Sequence, residues 1–320
     1  MTPIFYTDQF VVPLPAGHRF PMVKYALLRE RLLTTGAVAD DGFAVPPAAS
    51  DAELTLVHTT GYVRDVVEGT LDATRLRRLG LPWSAGLVER SRRSVGATIA
   101  ASRWAADHGL GLTLAGGTHH AFASRGEGFC VFNDVAVAAR ILRQQGTVDR
   151  VLIIDLDVHQ GNGTAHIFRD DPSVFTFDIH AAGNFPFRKE RADLDLPLED
   201  GTGDDAYLEV LRDGLARIPD PSGFGIAFYL AGADPYRGDR LGRLALSKAG
   251  LARRDRTVFE YCQTIGLPVA VTMAGGYAAD VADTVDIQTE TVRTALRVIE
   301  SRDGGAAGRR PRDRGAAPGT

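Results

Sequence analysis

Short apolar runs alternate along this chain with longer segments in which apolar residues recur every three or four positions. The short runs predict buried strands, and the longer segments predict amphipathic helices. The predicted strands cover residues 4–6, 112–114, 151–156, 174–179, 225–230 and 269–273. Helical patterns between them include residues 85–107, 133–144, 204–215 and 248–265. This repeated order predicts an α/β fold, with a parallel sheet covered by helices on both faces.

The turns between these elements are short, and none has the composition of a linker between domains. We therefore expect one domain from residue 1 to residue 301. The segment 302–320 is rich in arginine and glycine and lacks apolar periodicity, so we expect a disordered tail there.

Polar residues follow almost every predicted strand. His119 and His120 follow one strand, Asp234 follows another, and Tyr277 comes after the last. Because the carboxyl ends of parallel strands meet at one edge of a sheet, these side chains are expected to lie together. The set contains the acids, bases and donors of a hydrolytic site.

The strand at 151–156 leads into an Asp-x-Asp-x-His sequence, which comprises Asp155, Asp157 and His159. Side chains alternate along a strand, so these three project to one side. Burying two carboxylates and an imidazole is costly unless a cation compensates. A solvated turn is the alternative, but such turns seldom follow so apolar a run. The pattern therefore indicates a metal site.

Each candidate residue has a side chain that suits a specific role in metal-dependent hydrolysis. Asp157, His159 and Asp234 supply three ligands and leave a fourth position open, as in catalytic zinc sites. The pair His119–His120 offers a general base and a second cation or acid. Tyr277 is placed to donate a hydrogen bond to a developing oxyanion.

Composition narrows the class of protein. The chain has 320 residues and a net charge of −4, which argues against a nucleic-acid partner. Its two cysteines, Cys130 and Cys262, are far apart, which excludes a thiolate cluster and suits a reducing compartment. The sequence has no apparent secretory signal and no apolar run of membrane-spanning length. We expect a cytoplasmic protein without a membrane partner, and the oligomeric state stays open.

At these residues the chain resembles the zinc-dependent lysine deacylases of the histone deacetylase superfamily. The matching segments, in the family's order, are 116–120, 128–134, 155–163, 231–235 and 275–277. The segments 159–163 and 238–242 are most similar to the class IV branch. The resemblance implies an arginase/deacetylase-like three-layer sandwich, with a central, mostly parallel sheet of about eight strands between layers of helices.

The resemblance also implies a role for each matching residue. Zn²⁺ is bound by Asp157, His159 and Asp234. His120 is the proton shuttle, His119 its charged partner, and Tyr277 the hydroxyl that polarises the carbonyl. Asp155 orients His119 and helps to bind a structural K⁺, for which Asp178 is either a further ligand or only a strand cap. Asn162 is the partner of His120.

A narrow substrate tunnel follows from the same resemblance. Its expected residues are Gly128, Phe129, Phe185, Thr118, Gly275 and Gly276, although the segment 180–187 departs from the family pattern. Thr118 would lie near the foot of the tunnel, where many family members carry a bulky apolar residue. Small residues there predict a preference for acyl chains longer than acetyl.

The predicted function is zinc-dependent removal of acyl groups from lysine side chains of proteins. Deacylation of a small acylated amine, such as a polyamine, would use the same catalytic residues. An arginase-type manganese enzyme needs a second cluster of aspartates, which residues 231–235 do not supply. A non-catalytic acyl-lysine-binding module is less consistent with the presence of both histidines and Tyr277. No dinucleotide or phosphate-loop fingerprint is present, so we expect no nucleotide cofactor.

Overall fold

The apolar runs form one eight-stranded sheet in which neighbouring strands are parallel throughout. The computed structural model describes residues 2–300. The strands are β1 (Ile4–Phe5), β2 (Phe43–Ala44), β3 (Leu110–Thr113), β4 (Val151–Asp155), β5 (Val174–Ala181), β6 (Leu194–Leu198), β7 (Ile226–Leu230) and β8 (Val269–Thr272). Their order across the sheet is β2-β1-β3-β8-β7-β4-β5-β6.

Helices cover both faces of this sheet. They are α1 (Lys24–Thr34), α2 (Asp51–Leu54), α3 (Thr60–Glu68), α4 (Ala73–Leu79), α5 (Ala85–His108), α6 (Asp134–Gln144), α7 (Asn162–Phe168), α8 (Asp204–Ala216), α9 (Lys248–Ile265) and α10 (Val281–Glu300). Alternate residues of β4 enter two different cores: Leu152 and Ile154 pack on the side of α1 and α8–α10, whereas Val151 and Ile153 pack on the side of α3, α5 and α6. The three-layer α/β architecture is thus confirmed.

The six predicted strands are all present, with ends shifted by a few residues at most. Two further strands, β2 and β6, were not predicted. The first has only two residues, and the second is an edge strand that contains Pro197, a residue that usually argues against a strand. The four predicted helices are found within one residue of their expected ends. The predicted tail at 302–320 lies outside the described residues.

The buried guanidinium group of Arg254 holds the segments that follow β4 and β7 in place through hydrogen bonds. Arg254, on α9, donates from Nη1 to the carbonyl oxygens of Leu156 (3.1 Å) and Gly232 (2.6 Å). Its Nε donates to Asp255, which also accepts hydrogen bonds from Tyr229 and Thr291. Because Leu156 and Gly232 lead directly into the polar segments after β4 and β7, this network fixes the segments that carry Asp157 and Asp234.

No helix in the described part of the chain is both long and apolar enough to cross a membrane.

Candidate active site

The three predicted metal ligands converge at the carboxyl end of the sheet. Asp157 and His159 follow β4, and Asp234 follows the neighbouring strand β7. One donor atom from each of them lies within 4.8 Å of the others, and all three residues are buried. His159 Nδ1 is 2.9 Å from Asp157 Oδ1 and 3.3 Å from Asp234 Oδ2.

These residues fit a divalent cation. Asp234 Oδ2 is buried and accepts no hydrogen bond. Burial and the neighbouring Asp157 carboxylate raise the pKa of Asp234 to about 6. The nearby side chains therefore supply too little positive charge to balance two buried carboxylates. A Cβ atom on Gly275 would lie 1.9 Å from Asp234 Oδ2, so only glycine leaves this space open. Two carboxylates and one imidazole are donors typical of catalytic zinc.

His119 and His120 lie side by side, with ring centroids 4.1 Å apart, but their outer contacts differ. His119 Nδ1 donates to the Asp155 carboxylate at 2.6 Å. His120 Nδ1 donates to the amide oxygen of Asn162 at 2.7 Å. The Asn162 amide in turn donates to Glu127 Oε1 at 2.7 Å, which fixes its orientation.

The two imidazoles therefore differ in charge. Burial lowers the pKa of His119, but Asp155 and Asp157 outweigh it and raise the pKa to about 9. Burial raises the pKa of Asp155 to about 7, below that of His119, so the proton between them belongs to the imidazole. Burial and the two neighbouring imidazoles hold the pKa of His120 well below its usual value. At neutral pH one imidazole is thus charged and the other can accept a proton.

Tyr277 lies on a loop after β8 that is fastened by two residues outside the predicted set. Its backbone N–H donates to Asp239 Oδ2 at 2.6 Å. The Lys24 ammonium, on a side chain only 1% exposed, donates to the Gly276 carbonyl at 3.3 Å and lies 5.3 Å from the Tyr277 ring centroid. Burial and the carboxylates of Asp157 and Asp234 hold the pKa of Tyr277 well above its usual value, so its hydroxyl keeps its proton and can donate it in a hydrogen bond.

A cavity of about 620 Å³ opens above these side chains. Five of the six predicted tunnel residues line it, namely Thr118, Gly128, Phe129, Phe185 and Gly275. The Phe129 ring lies 5.9 Å from the Tyr277 ring, and the Phe185 ring lies 5.0 Å from the His120 ring. Phe129 has a φ of 68°, a conformation that non-glycine residues rarely adopt outside functional sites.

Gly276 is not among the lining residues. A Cβ atom there would instead approach Thr284, on the first turn of α10. Thr118 has a second role besides lining the cavity, since its hydroxyl donates to the Phe132 carbonyl and contacts the Asp134 carboxylate at 2.6 Å. The threonine therefore also braces the loop that carries His119 and His120.

The predicted structural-ion residues lie opposite one another on neighbouring strands, because Asp155 of β4 pairs in register with Asp178 of β5. Both carboxylates face one spot: a Cβ atom on Gly161 would be 2.4 Å from Asp155 Oδ2 and 3.3 Å from Asp178 Oδ2. Asp178 also forms a second group with His180 and Asp195, whose donor atoms lie within 4.8 Å of one another. Asp178 therefore belongs to two clusters, one with Asp155 and one with His180 and Asp195.

Comparison with known proteins identifies the family. Residues 18–292 match the model of the histone deacetylase domain. The chain belongs to the histone deacetylase domain family. Histone deacetylase 2 of Arabidopsis thaliana is 30% identical over 282 residues, covering 84% of this chain and 73% of the plant protein. Acetoin utilization protein AcuC of Bacillus subtilis is 33% identical over 240 residues, covering 68% and 60%. Membership of the histone deacetylase family makes the protein a hydrolase that acts on amides.

Solved structures show the same fold. An HDAC homolog from Aquifex aeolicus superimposes with a TM-score of 0.78, at 23% identity, over 94% of this chain and 88% of the homolog. The arginase/deacetylase-like sandwich that the sequence predicted is therefore confirmed for this histone deacetylase family member. An uncharacterised protein of a Picosynechococcus strain is 47% identical over 283 residues, covering 88% of this chain and 94% of that protein.

Proposed function

We propose that this histone deacetylase family member is a zinc-dependent lysine deacylase. The observation that carries the proposal is the pair of adjacent imidazoles with different partners, the Asp155 carboxylate for His119 and the Asn162 amide for His120, beside the group Asp157, His159 and Asp234. A charged His119 and a neutral His120 at one cavity floor supply an acid and a base for the two proton transfers of amide hydrolysis.

Asp157, His159 and Asp234 would hold the zinc. When bound, zinc supplies Lewis-acid polarisation of the acyl carbonyl and lowers the pKa of the attacking water. Neutral His120 accepts a proton from that water, while Asn162 keeps the ring in place. The Tyr277 hydroxyl donates a hydrogen bond to the carbonyl oxygen as negative charge develops on it. A proton returns from the imidazole pair to the departing amine, and the products are a free lysine amine and a carboxylate.

The cavity suits a long, thin substrate arm. Phe129 and Phe185 contact the floor of the site from different loops and supply apolar walls for the methylenes of a lysine. Asp155 and Asp178, which face one spot behind His119, are proposed to bind a structural K⁺. We also propose membership of the class IV branch, on the segments 159–163 and 238–242, and a cytoplasmic location.

Zinc dependence is tested by metal content and activity together. The purified protein is expected to hold about one zinc per chain and to lose activity with a strong chelator, which added zinc reverses. Asp157→Ala and Asp234→Ala should lose both zinc and activity, while Asp213→Ala, which removes an exposed carboxylate on α8 outside the cavity lining, should keep both. Full activity of metal-free protein would contradict the proposal. The substrate panel comprises acyl-lysine peptides and acylated polyamines.

Acyl-chain length is tested at α5 rather than at Thr118, because Thr118→Trp would also break the loop bonds described above. Ser91 and Ser94 of α5 line the same cavity together with apolar Val12 and Leu87. We propose that this space receives acyl chains longer than acetyl, each buried methylene contributing about 0.8 kcal/mol. Ser94→Phe should lower kcat/KM for octanoyl-lysine and spare acetyl-lysine, with Ser94→Ala as the control. Equal effects on both substrates would show that the acyl chain does not reach α5.

A further inference from the structure

Five exposed arginines surround the mouth of the cavity, and we call them the arginine rim: Arg19, Arg77, Arg78, Arg240 and Arg243. We propose that the rim selects an acylated lysine within an acidic stretch of polypeptide. This inference rests on the proposed deacylase function and adds the chemistry of the sequence around the target lysine.

The rim is positive even though the chain carries a net charge of −4. Asp157, at the cavity floor, is the one acidic residue among the described residues that line the cavity. Asp239 is adjacent to Arg240 but turns away from it, because its carboxylate accepts hydrogen bonds from the backbone amides of Leu241, Gly242 and Tyr277. No carboxylate of the described lining residues therefore lies at the mouth, although the exposed Asp200, outside the lining, pairs with Arg243.

Within residues 2–300, only one of the five rim guanidinium groups forms an ion pair. Arg243 forms an ion pair with exposed Asp200 at 3.0 Å, and such exposed pairs contribute little. Arg77 and Arg240 donate only to neutral oxygens, those of the Thr74 hydroxyl and the Ala279 carbonyl. Arg19 and Arg78 make no side-chain hydrogen bond or ion pair in this part of the chain. Such guanidinium groups are free to bind carboxylates.

The rim has two parts, one beside each aromatic wall. On the Phe129 side, the His18 ring hydrogen-bonds the Gly80 carbonyl at 3.0 Å, which joins the loop of Arg19 to the end of α4, where Arg77 and Arg78 lie. The Phe20 ring, next to Arg19, lies 5.5 Å from the Phe129 ring.

On the Phe185 side, the Asn184 side chain donates to the Leu241 carbonyl at 2.6 Å and accepts from the Arg243 amide at 2.9 Å. This joins the loop of Phe185 to the segment that carries Arg240 and Arg243. Guanidinium groups beside both walls match negative charges on both sides of the lysine that enters the cavity. An extended acidic peptide supplies such charges, whereas one carboxylate would engage a single part of the rim.

The positive charge of the arginine rim disfavours binding of an acylated polyamine. After one amine is acylated, the other amines of a polyamine stay cationic and would be repelled by the rim. A cleft with one sign of charge raises the local concentration of opposite charges, and the effect falls as ionic strength rises. The rim should therefore act through KM and the rate of association.

The test compares peptides that share one acyl-lysine and differ only in flanking residues, which are glutamate, glutamine or lysine, together with an acylated polyamine. We expect kcat/KM to be about tenfold higher for the glutamate peptide than for the glutamine peptide, and lowest for the lysine peptide and the polyamine. Raising the salt concentration should shrink these ratios.

Paired substitutions locate the effect. Arg78→Gln with Arg240→Gln removes one charge from each part of the rim and should reduce the glutamate-to-glutamine ratio toward one. Arg212→Gln with Arg217→Gln removes the same net charge at exposed positions on and just after α8, outside the cavity lining, and should keep the ratio. An equal loss of the ratio in both variants would overturn a role for the rim.

The outcomes also separate this inference from the proposed function. Cleavage of all three peptides at equal rates, or a preference for the lysine peptide or the polyamine, would overturn the rim proposal and leave the amide hydrolase in place. No cleavage of any acyl-lysine peptide by the zinc-loaded wild type would refute the deacylase itself.

Discussion

Two adjacent residues of the same type can differ in charge, one cationic and one neutral, when their outer partners differ. His119 faces the Asp155 carboxylate, and His120 faces the Asn162 amide, so a proton is stabilised on the first and not on the second. The amide orients His120 without adding a negative charge. A carboxylate at position 162 would stabilise the protonated form of His120 and reduce its availability as a base.

Tyr277→Phe removes a single hydroxyl from the site. If this hydroxyl stabilises the oxyanion, kcat should fall by roughly two to three orders of magnitude, the usual loss for one donor. Zinc content and the unfolding midpoint should stay unchanged, because the loop is held through the backbone of Tyr277. Tyr25→Phe, which removes another hydroxyl from a residue that lines the cavity, is the matched control. A variant with near-wild-type kcat would make Tyr277 a turn residue only.

Some of the site could be predicted from sequence because parallel strands impose a simple geometry. Asp157, His159 and Asp234 each follow a strand, so their meeting at one edge follows once the strands are recognised. Lys24 could not be placed in this way, since its contact with Gly276 spans 252 residues and depends on how α1 packs. The signal in the sequence was the spacing, because Lys24 lies four and eight residues before apolar Leu28 and Leu32. All three are buried on one face of α1.

At the scale of elements, helix α9 holds the loops after β4 and β7, which contain the proposed metal ligands. Arg254 of α9 donates to the carbonyls before both ligand segments, and Asp255 shares hydrogen bonds with β7 and α10. The sequence predicted α9 within its observed bounds but gave no sign of this role. An arginine next to an aspartate in an amphipathic helix usually indicates a solvated face, whereas here both are buried.

Replacing Arg254 tests this bracing. Arg254→Leu leaves Asp255 buried without its cation and should reduce the free energy of unfolding by about 3–5 kcal/mol. Arg253→Leu removes the neighbouring exposed guanidinium, whose pair with Asp205 lies in solvent, and should change stability little. Denaturant unfolding of both variants measures the difference, and equal effects would contradict a special role for Arg254.

His58 makes the start of α6 sensitive to acid. Its Nε2 accepts a hydrogen bond from the backbone N–H of Asn133, the N-cap of α6, and burial lowers the pKa of His58 to about 4. Between pH 6.5 and pH 4 the unfolded state binds the proton and the folded state does not, so the free energy of unfolding falls as the pH falls.

The expected loss across this window is about 3 kcal/mol relative to a His58→Gln variant, which has no imidazole to titrate. Unfolding curves of both proteins at several pH values measure it. A constant difference between wild type and variant would show that His58 does not titrate with a lowered pKa.

At the scale of the whole molecule, one sheet separates the two cores, and the loops after its strands carry the proposed metal ligands, the two histidines and Tyr277. We propose a single catalytic domain over residues 1–301, as expected from the sequence. A chain that ends at residue 301 should therefore keep the unfolding midpoint and the kcat/KM of the full chain on a neutral acyl-lysine peptide. A clear loss of either quantity would assign residues 302–320 a part in folding or activity.

The position of β8 also has a consequence for synthesis on the ribosome. This strand is the last of the sheet to be made, yet it lies between β3 and β7 and is the hydrogen-bonded link between the two halves of the sheet. Until residues 269–272 leave the exit tunnel, β3 and β7 each have an unpaired edge, of the kind that invites aggregation or chaperone binding. His119 and His120 follow β3 in one half, and the proposed metal ligands Asp157, His159 and Asp234 follow strands of the other half. The nascent chain therefore completes its active site only after residues 269–272 have emerged.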